Sequence, residues 1–219
     1  KAYIPKVFVD KEIVAYCKAL SEEKATALRK YGVKFVNCQE YQQKDEVTHL
    51  IMLENVVNLD FLLAIVRGIF VVTESWAITF PPKIIPFENI PKEHFDTIRN
   101  SIQNRLQRKP RLFSDINFHI IDHDKRTKVH RMSLTKAGIT LLIQAGGGKI
   151  VTRSPALRTV ENQNYQPYHT RNSEKLKKCC NYIIYNEEKQ PTLMYNMKEL
   201  QHRSSKWLIN CILEFRIID

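Results

Sequence analysis

No apolar run in this chain of 219 residues approaches the roughly 20 residues that a membrane-spanning helix needs. The longest runs, such as Phe61-Leu62-Leu63-Ala64-Ile65-Val66, are short, and Arg67 closes that one. A transmembrane helix is therefore excluded and no membrane partner is expected. The opening Lys1-Ala2-Tyr3-Ile4-Pro5-Lys6 has neither an initiator Met nor the apolar core of a signal peptide, so the sequence reads as a fragment of a longer protein. A cysteine framework is also missing. Cys17, Cys38, Cys179, Cys180 and Cys211 are odd in number and follow no scaffold spacing, which points to a reducing compartment, the cytosol or the nucleus. His169 lies near Cys179 and Cys180 but matches neither a zinc spacing nor a nucleophile motif. No carboxylate pair suggests acid–base chemistry. Gly146-Gly147-Gly148 follows an expected helix and precedes an expected strand, the reverse of a phosphate-cradling loop. An enzyme, a cofactor and a metal site are not expected.

What is present is positive charge and enough apolar material for a core. Lys and Arg number 34 against 23 Asp and Glu, a formal charge of +11. That surplus favours a polyanionic partner such as nucleic acid, chromatin or phosphorylated protein, although a solvated lysine surface gives the same sum. With 43% hydrophobic and 10% aromatic residues, one or two packed cores can form.

A pattern occurs twice. A Trp opens an amphipathic segment after a short apolar strand in Phe70-Val71-Val72-Thr73-Glu74-Ser75-Trp76, and a Trp recurs in Ser204-Ser205-Lys206-Trp207-Leu208-Ile209-Asn210-Cys211. Each copy closes roughly a hundred residues, the size of a small domain. In the first half the pattern predicts strands over 12–16, 33–36, 47–52 and 69–73. Helices are expected from the Ser21 cap to Lys30 and over Asn58 to Val66, with Leu59, Leu62, Leu63 and Val66 on one face. Prolines 81, 82, 86 and 91 then break the rhythm. The stretch from Arg99 to Arg108 is basic and helical, either a packed linker helix with a solvated face or a contact for DNA. In the second half, strands are expected over 112–121, 149–151 and 182–185, with an apolar helix from Leu134 to Ala145 and a closing helix from Trp207 to Phe215. The alternation implies an α/β chain with a parallel sheet flanked by helices in each half. The expected units are 1–86, a linker over 87–110, and 111–219.

This arrangement resembles the BRCT fold, the phosphoprotein-binding module of DNA-damage response proteins. The residues that carry the resemblance are Thr48-His49, Arg67-Gly68, Trp76, Trp207 and the Gly146-Gly147-Gly148 turn, which together span nearly the whole chain. Within that family the second half is most similar to the C-terminal BRCT pair of the RING-domain partner of the breast cancer type one susceptibility protein. That similarity rests on Leu112-Phe113-Ser114-Asp115, Ala145 to Ile150, Tyr168-His169-Thr170-Arg171, Tyr182 to Tyr185 and Ser204 to Cys211. The resemblance implies two BRCT repeats, each a central four-stranded parallel sheet with helices, packed in tandem through helices and the linker. It implies a nuclear, noncatalytic module that recruits a RING-type ubiquitin ligase to nucleosomes carrying ubiquitin on a histone. A RING-domain ligase partner would be reached through an upstream region. The alternative is a scaffold that binds a phosphorylated or unmodified partner peptide.

Phosphopeptide-binding members hold the phosphate with a Ser or Thr hydroxyl, a following Gly amide and a Lys on the first repeat. Those positions correspond here to Cys17, Lys18 and Asp60, and an Arg that reads the peptide backbone corresponds to Val57. A carboxylate in place of the Lys repels phosphate, so the pocket is degenerate. The resemblance implies that Arg153 matches an arginine by which the similar protein docks on the acidic patch of the nucleosome, where a guanidinium pairs bidentately with carboxylates; the alternative is an ordinary solvated arginine. Glu161, the only acid between Thr152 and Asn164, corresponds to a neighbouring contact. A second basic cluster comprises His119, His123, Lys125, Arg126, Lys128, His130 and Arg131; it faces either phosphate or solvent. Trp76 and Trp207 are expected to anchor the last helix of each repeat to its sheet, and Gly146 and Gly147 to let the chain reverse tightly.

Overall fold

The computed structural model describes residues 12–78, 91–123, 126–129, 132–155, 169 and 179–218. The first repeat runs β1 (Val14–Tyr16), α1 (Glu22–Lys30), β2 (Lys34–Phe35), α2 (Cys38–Gln43), β3 (His49–Met52), α3 (Leu59–Arg67) and β4 (Phe70–Thr73). Its four strands are all parallel, in the order β2-β1-β3-β4. Glu22 and Glu23 open α1 and Arg29 and Lys30 close it, each sign matched to the helix dipole, while the Ser21 hydroxyl makes no capping bond. Sequence periodicity missed α2, although a reciprocal capping box announces it: Asn37 accepts from the Glu40 amide and Glu40 accepts from the Asn37 amide.

The third helix departs from a one-faced expectation. Asn58 caps it, accepting from the Phe61 amide at 2.9 Å, and Phe61 through Val66 are all buried. A helix apolar all round needs cover on every side. Here β3 and β4 lie on one side, and α4 (Phe95–Leu106), α5 (Lys136–Ala145) and α6 (Ser205–Glu214) on the others.

The second repeat adds β5 (Asn117–Ile120), a β6–β7 hairpin (Thr127–Val129, Met132–Leu134), β8 (Lys149–Ile150), β9 (Asn181–Tyr185) and β10 (Gln201–Ser204). The order β10-β9-β5-β8 repeats that of the first sheet, with the first strand between the second and third. Two expectations are corrected, and one strand was not expected. The 112–121 strand starts only at Asn117, because Asp115 takes a left-handed conformation (φ 64) that no strand continues through. The helix expected from Leu134 begins at Lys136, since Leu134 pairs in the hairpin and Thr135 caps by accepting from the Gly138 amide at 3.1 Å. The edge strand β10 has no apolar alternation to reveal it; parallel bonding to β9 makes it a strand.

One continuous core joins the repeats, running from Tyr16 and Phe61 through Ile98 and Ile102 of α4 to Phe113, Ile139 and Trp207. The linker helix is therefore packed: Ser101 donates to the Ile65 carbonyl at 2.6 Å, and Thr97 donates to the Leu213 carbonyl. The two Trp residues occupy different layers. Trp76 sits in a 3-10 turn, Glu74–Ile78, rather than an α-helix, fully buried against Ala15, Leu28 and Val72 in a smaller core on the α1 side. Trp207 belongs to the shared core, stands 4.7 Å from Tyr182, and donates from Nε1 to the Ile218 carbonyl at 3.0 Å. The glycine turn after α5 is dictated by close approach as much as by rotation. A Cβ on Gly146 would lie 2.4 Å from Phe113, and only Gly147 adopts a positive φ, 85°.

Candidate functional site

The end of β1 and the start of α3 meet at a cleft of about 350 Å³ between the two. Parallel pairing of β1 with β3 brings Lys18 opposite the β3 exit, and the Asn58 cap turns the first turn of α3 toward the same opening. Lys18 and Asp60 both line it, together with Tyr16, Met52, Glu54 and Asn58. Of the four residues singled out from sequence at this position, these two come together and the other two do not. The half-buried Cys17 packs into the smaller core, its thiol pKa raised by burial. Val57 packs against the shared core rather than into the cleft.

Asp60 is held by two tyrosines that the sequence reading did not select. The Tyr41 hydroxyl donates to its backbone carbonyl at 2.6 Å, the Tyr16 ring stacks on that of Tyr41 at 4.3 Å, and the Tyr16 hydroxyl lies near the carboxylate. Burial raises the Asp60 pKa; the Lys18 charge and the Tyr16 bond oppose that rise without cancelling it. A carboxyl already short of solvation and facing the opening would meet a phosphate with like charge. No sequence pattern marks the tyrosines as site residues, because they are 25 positions apart and meet only through β1 and α2 packing on α3.

The second candidate region lies beyond β8. Arg153 sits exposed on the bend that follows the strand, with no hydrogen-bond or ion-pair partner among the described residues. Glu161 lies outside the described residues, as do Lys125, His130 and Arg131 of the basic cluster. Within that cluster His123 is buried, bonded through Nδ1 to the Ile121 carbonyl at 2.5 Å, and His119 bonds the Val151 carbonyl at 2.9 Å. Arg126 and Lys128 alone among its described members are exposed. The cluster is thus not one solvent-facing patch. Among the described residues no group of three or more His, Cys, Asp or Glu could hold a metal ion, and no helix is long and apolar enough to cross a membrane.

No protein-family model matches the chain, and no curated protein matches it by sequence. Solved structures do match. The BRCT5-BRCT6 domains of S. pombe Brc1 superpose with a TM-score of 0.58 at 17% identity, covering 95% of each chain. Residues 820-1070 of Rtt107p give 0.53 at 10% identity, covering 95% of this chain and 89% of that one. Rtt107p in complex with phosphorylated histone H2A gives 0.50 at 12% identity, over 94% and 88%. At such identities the likeness speaks for the fold alone, and the fold is that of a tandem BRCT pair, two parallel four-stranded sheets flanked by helices.

Proposed function

We propose that this tandem BRCT pair is a noncatalytic chromatin-binding module of a nuclear DNA-damage response protein, which brings a RING-type ubiquitin ligase to nucleosomes that carry ubiquitin. Arg153 carries the reading. It is an exposed guanidinium, unpartnered among the described residues, at the rim of the second sheet, where a planar fork can meet an acidic histone surface. Glu161 is assigned a supporting contact. The surplus of 11 positive charges speeds encounter with so anionic a particle as a nucleosome. The ligase assignment draws only on the resemblance of the second repeat. In a gel-shift titration with nucleosomes, Arg153→Ala should weaken binding at least about tenfold, as an interface anchor does. Unchanged binding would remove Arg153 from the account.

A second reading has one observation in its favour. The cleft at the end of β1 has Lys18 at its mouth, and Rtt107p, which shares this fold, has been solved with phosphorylated histone H2A. Under this reading the module binds a partner peptide. Paired pulldowns with phosphorylated and unphosphorylated peptides separate the two: strong phosphate dependence lost in Lys18→Ala would overturn the role given to Asp60.

A further inference from the structure

The opposite end of α3 carries a second cavity of quite different character. It occupies about 190 Å³ where the C-termini of α3 and α4 meet the start of the second repeat. It lies on the order of 10 Å along the helix from Asp60, at 1.5 Å per residue. Arg67, Arg105, Arg108, Lys109 and Arg111 line it, and Asp45 is the one carboxylate among its walls. Asp45 is already committed. Its carboxylate accepts from Arg111 at 2.7 Å and lies 3.9 Å from Arg67 Nε. Burial would raise its pKa, but the bond and charge of Arg111, with the charges of Arg67 and Arg105, hold it below the usual carboxylate range.

The remaining guanidinium bonds go to carbonyls, which accept hydrogen bonds without supplying a neutralising charge. Arg67 donates to the Tyr41 and Gln42 carbonyls, Arg105 to those of Val47 and Asp45 at 3.3 and 3.0 Å, and Arg111 to that of Ala145 at 3.1 Å. The ends of α3 and α4 together offset about half a charge each through their dipoles. The surplus stands. Arg67 is also incompletely satisfied: its side chain is 7% exposed, and the buried Nε has no hydrogen-bond partner. Arg108 and Lys109 are exposed at the mouth, and neither side chain has a partner among the described residues. A fixed floor of three arginines and a free cationic rim make a site for a compact anion with several acceptor oxygens.

We infer that this inter-repeat cavity binds a phosphate monoester, dianionic at neutral pH, with Arg67, Arg105 and Arg111 as its floor and Arg108 and Lys109 as its closing groups. Its volume suits one phosphate group and is too small to track an extended phosphodiester backbone. The site is separate from Arg153 and from the Asp60 cleft.

Isothermal titration of the whole chain tests it, with inorganic phosphate, a short phosphoserine peptide and a short DNA duplex as probes at constant ionic strength in chloride. Phosphate should bind, and the joint variant Arg108→Ala, Lys109→Ala, which touches no fold contact, should weaken it roughly tenfold per cation removed with an unchanged melting temperature. If the peptide binds more tightly than inorganic phosphate and shows the same loss, the phosphate is supplied by a phosphorylated segment; if inorganic phosphate binds as well, it is supplied free. Absence of binding above chloride, binding indifferent to the joint variant, or a loss caused instead by Lys18→Ala would overturn the assignment. So would a duplex that binds while monoesters fail to compete.

Discussion

Acid should destabilise this fold through its buried histidines, and His49 should contribute most. His49 is the first residue of β3, buried at 4% exposure, with its ring between Phe70 at 5.2 Å and Trp76 at 5.0 Å. Its Nδ1 lies 2.8 Å from the Thr48 hydroxyl. Burial, with a smaller contribution from the Arg105 charge, lowers its pKa from 6.5 to about 3. The unfolded chain therefore takes up a proton below pH 6.5 that the folded chain refuses until about pH 3, so stability falls as pH falls through that window. At about 1.36 kcal/mol per pH unit, lowering the pH to 5 costs the fold about 2 kcal/mol through His49 alone. The figure holds wherever the folded value lies at 4 or below. The assay is urea denaturation at pH 7 and pH 5 of the parent chain and of His49→Phe, which keeps an aromatic ring in the stack. His94, His169 and His202, whose pKa values are also lowered by burial, are common to both proteins and cancel in the comparison. The parent should lose about 2 kcal/mol more than the variant between the two pH values. Equal losses would refute the placement of a neutral His49 in the core.

Two further substitutions probe the packing. Gly146→Ala puts a Cβ 2.4 Å from Phe113 and should cost about 1–3 kcal/mol in urea denaturation, as overpacking does; a melting temperature equal to the parent's would show that the turn can yield. Trp76→Ala empties the middle of the α1-side core and should cost about 3–5 kcal/mol in urea denaturation. A cost under about 1 kcal/mol would mean that Trp76 is not the anchor its burial indicates.

The duplication was legible because two short apolar strands, each closed by a Trp segment, are local signals that survive in a single sequence. Ser21 and Asn58 likewise mark helix starts by residue type, and Asn58 makes the capping bond while Ser21 does not. Asn37 and Glu40 announce α2, but six residues are too few for a periodic face. The Gln201–Ser204 strand is polar and exists only because β9 offers it a bonding edge. At the candidate site, Cys17 and Asp60 were readable as residue types, whereas the stacked Tyr16 and Tyr41 beside Asp60 were not.

By itself, the sequence determined a duplicated α/β chain with a cationic surplus, because strand hydrophobicity, capping residues and net charge are properties of neighbouring residues or of sums over them. Tertiary structure alone decided that α3 is buried on all sides, that Trp76 and Trp207 serve different cores, and that one helix separates an acidic cleft from an arginine-lined cavity. Those outcomes depend on which surfaces meet across the linker. Side chains as distant as Asp45 and Arg111 acquire a shared chemistry only when both repeats close on α3.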